Sequence, residues 1–134
     1  MTGRTLLAGA AVLFALATAA SAQFEGFWDT NQGAMRIAQD GDRAHGDYDL
    51  KGGRIHGDID GDGLSGIWAQ DWSNRRCYEE RMGSFYWGRF RLHISDNDEY
   101  FHGRWSYCDQ ESGSGGEWTG HRVHHHHWHN WDHY

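Results

Sequence analysis

Apolar and polar residues alternate through most of the chain after residue 23. Met35 and Ile37 share one side of such a run, as do Ile55, Gly57 and Ile59, then Leu64, Gly66 and Trp68. Phe90, Leu92 and Ile94 follow, then Phe101, Gly103, Trp105 and Tyr107. The intervening positions are mostly polar: His45, Asp47, Asp49, His56, Asp58, Asp60, Arg89, Arg91, His93, His102 and Arg104. Successive side chains on a strand point to opposite faces, so a period of two with one apolar side predicts half-buried antiparallel strands. Eight are predicted, at 24–30, 34–39, 43–50, 54–60, 64–72, 84–94, 100–107 and 117–123.

The runs are punctuated by a repeat. Gly-x-Trp/Tyr occurs as GFW at 26–28, GDY at 46–48, GIW at 66–68 and GRW at 103–105. The last three each close a unit made of an alternating run, an Asp/Gly or Asp/Asn turn and a second alternating run, which is a hairpin signature. The glycine two residues before each aromatic falls on the inner side, where a missing side chain would leave room for a neighbouring ring. Short connections predict an all-β fold, an eight-stranded antiparallel up-and-down meander that closes or nearly closes into a small barrel. A membrane-spanning barrel is the wrong reading, because the outer face is charged and several strands are too short for a bilayer.

A meander sends alternate connections to opposite ends. The loops at 31–33, 51–53, 73–83 and 108–116 share one end, and Cys77 and Cys108 lie in or beside the last two. Two cysteines in an exported chain then predict one disulfide, Cys77–Cys108. The other end collects the turns at 39–43, 60–63 and 95–98 and the start of the histidine-rich segment 124–134.

Composition narrows the function classes. The chain has 134 residues and a formal net charge of −7, with no proline, so clustered basic surface for a nucleic-acid partner is not expected. Residues 1–22 carry Arg4, an apolar run and a small-residue end at Ala22, the layout of a secretory signal peptide. Three segments are therefore expected: the signal peptide at 1–22, a barrel at 23–123 and a tail at 124–134. The expected location is periplasmic or secreted, in a bacterium, with no membrane-spanning segment after residue 22.

The stretch GFWDTNQG, followed by a strand, a Gly/Asp turn and GDY, and later SGIWAQDW, resembles the avidin and streptavidin type of secreted barrel. The resemblance implies an eight-stranded meander with Trp and Tyr walls around a ligand at the mouth. It places Asn31 and Tyr48 at comparable positions. The chain departs from that family in the register around Asn31, in its cysteine-bearing loops and at its C-terminus. Architecture is carried over; biotin is not.

Candidate chemistry is concentrated in two places. The tail offers His124, His125, His126, His127, His129, Asp132 and His133, with His121 just before it. Neutral imidazole is the commonest protein ligand for zinc, nickel and copper, and a run of this kind can place several around one ion. Interruption by Trp128, Asn130 and Trp131 argues against a purification tag. Such binding would weaken as pH falls through about 6.5, where imidazoles protonate. The second place is the loop at 73–83, with Arg75, Arg76, Tyr78, Glu79, Glu80 and Arg81, a recognition surface or a solvated loop. Asp58, Asp60, Asp62 and Gly63 match half of a calcium loop, but Ala69 stands where its last carboxylate belongs, so a plain hairpin turn is expected and calcium is not. No catalytic motif is present. The leading expectation is an exported barrel whose tail binds divalent transition metal. The alternative is an avidin- or lipocalin-like barrel that takes a small ligand or a protein partner through the disulfide-linked loops.

Overall fold

The computed structural model describes residues 23–110 and 113–124, together with Gly3 and Gly9. The expected signal peptide and the tail from residue 125 onward lie outside the described residues, so those two expectations stay as they are.

Eight antiparallel strands pair in sequence order and close on themselves. They are β1 (Gly26–Thr30), β2 (Gly33–Asp40), β3 (Arg43–Tyr48), β4 (Gly53–Asp60), β5 (Gly63–Gln70), β6 (Tyr86–Ile94), β7 (Tyr100–Tyr107) and β8 (Gly116–Val123). The barrel closes where β1 meets β8, in the register Phe27↔Val123, Trp28↔Arg122, Asp29↔His121 and Thr30↔Gly120. Closure removes the exposed sheet edges that would otherwise pair with another chain. Among the described residues no helix is long and apolar enough to cross a membrane.

Three strands stop short of their expected ends. β3 ends at Tyr48 because a single 3-10 turn at Leu50–Gly52 reverses the chain, with Lys51 held at φ 53°. β5 ends at Gln70 and β6 begins at Tyr86, since the intervening chain leaves the ladder and pairs with itself at Arg81↔Ser84. That segment folds back over the outer wall. Its underside is a second apolar cluster of Ala69, Cys77 and Trp87, with Ile67 and Cys108 beside it. The Cys77–Cys108 disulfide is formed, with Cα atoms 5.6 Å apart, and ties this loop to the one after β7.

Three of the four glycines of the repeat admit neighbouring backbone and not the rings expected of them. A Cβ on Gly46, Gly66 or Gly103 would collide with the carbonyl oxygen of Arg36, His56 or Arg91 on the adjoining strand. Tight curvature brings these strands together on the concave side, where only hydrogen fits. Rings are accommodated by other glycines: Gly53 under Tyr48, Gly88 under Trp68 and Gly120 under Phe101.

The end of the barrel that carries the acidic turns is packed solid. Phe24, Trp28, Leu64, Leu92 and Phe101 are all fully buried there or just above it. Trp28 lies against Phe101 with ring centroids 4.9 Å apart. Arg122 covers this end from inside β8, its guanidinium 4.3 Å from the Trp28 ring. The end that carries the disulfide is built differently.

Candidate ligand site at the barrel mouth

At the disulfide-bearing end, four strands finish with inward rings or an amide: Tyr48 from β3, Trp68 and Gln70 from β5, Trp105 and Tyr107 from β7, and Trp118 from β8. They surround a cavity of about 250 Å³. The alternation of each strand places these side chains inward, and the meander brings the same end of every second connection to one mouth. Trp118 forms the floor with Tyr48 and Phe90, at centroid distances of 5.1 and 5.7 Å. Trp68, Trp105 and Tyr107 make an edge-to-face triad: Trp68 to Trp105 is 5.7 Å, and Trp105 to Tyr107 is 4.9 Å with planes 86° apart. Edge-to-face pairs of this kind hold one another's rotamers, so the walls are set before any ligand arrives.

The polar groups in the cavity are few and mostly used. The Tyr48 hydroxyl donates to Gln70 Oε1 at 2.7 Å, and Gln70 Nε2 donates to the Trp72 carbonyl at 2.9 Å. Burial pushes the Tyr48 phenol well above its ordinary range, against a smaller opposing pull from Arg54. It is therefore a neutral donor at physiological pH. Trp68 Nε1 donates to the Ser106 carbonyl at 3.1 Å. The indole N–H groups of Trp105 and Trp118 are buried without a partner.

The rim consists of Leu50, Lys51 and Trp72 on one side and Gln32, Ser73 and Asn74 around the remainder. Trp72 is 51% exposed, with the Lys51 ammonium 5.9 Å from its ring. Arg54 staples the rim from outside: it donates to the carbonyls of Gly52 and Met82 and to Asp71 Oδ1. Lys51 and Met82, both with positive φ, are the residues this staple holds between or beside. The large apolar side chains exposed among the described residues, Leu50, Trp72, Tyr78 and Met82, all lie on loops at this end.

Of the loop and mouth residues singled out from sequence, Tyr48 lines the cavity and the others do not. Asn31 is tied to β8 at both ends of its amide, donating to the Glu117 carbonyl at 2.8 Å and accepting from Thr119 N at 3.0 Å. It thereby fixes the β1–β8 seam at the rim. Arg75 closes a tight turn with the Ser73 hydroxyl, and Arg76 stacks on Phe85 at 4.4 Å. The Glu79 carbonyl accepts from Trp87 Nε1 at 2.7 Å, and Arg81 stacks on that same ring at 4.7 Å. Tyr78 and Glu80 are exposed. The loop is thus a flap seated on the outer wall, and its first residues, 72–74, are what reach the cavity.

At the opposite end, His121 lies on the outer face of β8, beside Tyr100 at 5.1 Å, and His124 Nε2 meets Glu99 Oε2 at 2.9 Å. The chain therefore leaves the barrel beside the acidic turns. His125, His126, His127, His129, Asp132 and His133 lie outside the described residues. Among the described residues no group of three or more His, Cys, Asp or Glu side chains is placed to hold a metal ion. The half calcium loop forms the β4–β5 hairpin, with Asp60 opposite Gly63 and Gly61 at φ 60°.

Trp68, Trp105, Trp118, Gln70 and Trp72 are the site residues that motif reading passed over. The signal for all but Trp72, which lies just past β5, is positional: the inward residues nearest the disulfide end of β5, β7 and β8. No protein-family model, no curated protein and no solved structure matches this chain.

Proposed function

We propose that this protein is a small ligand-binding barrel that holds a compact, flat molecule in its mouth. The observation that carries the reading is the cavity, about 250 Å³ and walled by four aromatic rings and Tyr48, at one end of a barrel whose other end is filled. Drug-sized ligands occupy roughly 300–1,000 Å³, so the occupant is small, of one or two fused rings. Ring walls with a few fixed polar groups are the usual make-up of such sites. The exposed apolar side chains around the same mouth extend the contact surface beyond the cavity itself.

The test is a titration of the mature chain with a panel of one- and two-ring planar compounds, followed through tryptophan emission. A binder quenches that emission saturably at one site per chain, and Trp105→Ala weakens it by about tenfold or more, since one wall is gone. A panel without saturable quenching, or a Trp105→Ala chain that binds as well as the parent, refutes the reading.

For the tail, the reading as a binder of zinc, nickel or copper rests on its histidine content. Metal titration of the chain with and without residues 124–134, a cut that leaves β8 whole, tests it: equal uptake by both ends that proposal.

A further inference from the structure

We infer that the mouth selects small planar anions, of the aromatic carboxylate class, over neutral or cationic molecules of the same shape. The inference rests on the reading of the mouth as a ligand site and adds the charge and chemistry of its ligand.

Two observations carry it. The first is charge. The chain holds 19 acidic residues against 12 Lys and Arg, yet among the described residues no carboxylate lines this cavity, and the ionic side chain there is Lys51. Asp71 at the rim is paired with Arg54, so within the cavity lining itself the lysine is the charge an approaching ligand meets, and it favours negative ligands over positive ones.

The second observation is the balance of donors and acceptors. The amide oxygen of Gln70 is taken by Tyr48, and Trp68 already has its carbonyl. Among the buried polar atoms of the lining, what remains unpaired is donor capacity: Trp105 Nε1 and Trp118 Nε1 are buried without a partner, and an indole can only donate. The other unpaired buried atoms, Arg81 Nε and Ser106 Oγ, belong to residues that do not line the cavity. A buried donor without an acceptor is unfavourable, and a ligand oxygen that accepts from it recovers that loss. A carboxylate does so with a charge-assisted bond, roughly twice as strong as a neutral one. The flat part of the ligand is received by the near-perpendicular walls of Trp68, Trp105 and Tyr107, planes 89° and 86° apart in successive pairs. A cationic probe finds no carboxylate among the described lining residues to pair with, and it offers neither indole N–H an acceptor.

Three naphthalenes of one shape separate the possibilities: 2-naphthoate, 2-naphthamide and 2-(aminomethyl)naphthalene, titrated by calorimetry into the mature chain. The carboxylate is expected to bind at least about tenfold more tightly than the ammonium compound, with the amide between them. Trp105→Phe keeps a ring and removes the N–H, so it should cost the carboxylate about tenfold and the ammonium compound little. Lys51→Glu, on the exposed rim, should narrow the same preference without touching the cavity floor. If the three probes bind equally, or the ammonium compound binds best, the anion inference is overturned while the ligand site stands. If none binds, the site itself is refuted, and the inference with it.

Discussion

The two ends of the barrel use the same residue type in opposite ways. At the closed end Trp28 donates its indole N–H to the Phe24 carbonyl at 2.9 Å, and Arg122 places its three nitrogens on the carbonyls of Asp98, Glu25 and Gln23 at 2.6–2.7 Å. The indole and all three guanidinium nitrogens have acceptors, and the arginine doubles as a lid over the ring. At the mouth, Trp105 and Trp118 are buried without acceptors, around space and not around packing. Burial pulls the Arg122 guanidinium below its ordinary range, with Asp98 and Glu99 opposing the shift. The closed end bears that desolvation because three carbonyls receive the charge. The difference assigns stability to one end and recognition to the other, which is where departures from full satisfaction are expected to sit.

The largest expected effect is at the closed end. Arg122→Ala leaves three carbonyls without their donor and uncovers Trp28, a loss of about 3–4 kcal/mol from hydrogen bonds to a charged group and the cation–π contact. Urea denaturation would report it as a fall in midpoint at unchanged slope. Should Arg122→Ala cost no more than Trp105→Phe at the mouth, the division of labour between the ends is wrong.

Next is the disulfide. Closing a 31-residue separation is worth up to roughly 3.7 kcal/mol through the entropy of the unfolded chain. The double substitution Cys77→Ser with Cys108→Ser should lower stability by about that amount or somewhat less. It should also raise hydrogen exchange in the flap at 71–85 while leaving β1 and β2 protected, since the flap is held by the cross-link, by its seat on Trp87 and by the Arg54 bonds to Asp71 and Met82. Uniform loss of protection around the barrel would mean that the flap is part of the main cooperative unit.

How far these regions were readable from sequence follows the same line. Alternation and turn chemistry are local, so strands, meander order and the meeting of Cys77 with Cys108 were all legible. Ile67, Ala69 and Trp87 were not legible as a second buried cluster, because they sit on the outward phase of β5 and β6 and are covered only when the flap folds back. Arg122 reads as a surface charge until the β1–β8 seam places it opposite Trp28. The cavity was hidden for a similar reason. Alternation turns Trp68, Trp105 and Trp118 inward, but whether three inward rings fill a barrel or wall a space is decided by their mutual angles. The repeat glycines carried a misleading cue, since glycine before an aromatic signals close approach without saying whether ring or backbone approaches.

A smaller effect is expected at the hydrogen bond that braces the mouth floor. Tyr48→Phe leaves the buried Gln70 oxygen without its donor, at a cost of about 1–2 kcal/mol. It also changes the alkaline limb of stability. The Tyr48 phenol is raised by burial, so the folded state holds its proton to higher pH than the unfolded chain does. That contribution is fully present below about 10, the ordinary phenol value, and is lost as pH climbs toward the folded value. The parent should therefore lose stability above that point more steeply than Tyr48→Phe does.

The smallest stability effect is the one that sharpens the comparison most. Trp105→Phe removes an N–H that has no partner in the folded protein, so no hydrogen bond is lost and an unsatisfied donor disappears. The smaller ring gives up part of its contact with Trp68 and Tyr107, and the two changes oppose each other. The net change should be within about 1 kcal/mol of zero, measured by the same denaturation that shows a large loss for Arg122→Ala. If instead Trp105→Phe destabilises by as much as Tyr48→Phe, the indole N–H has a partner in solution, and the mouth is a second structural end.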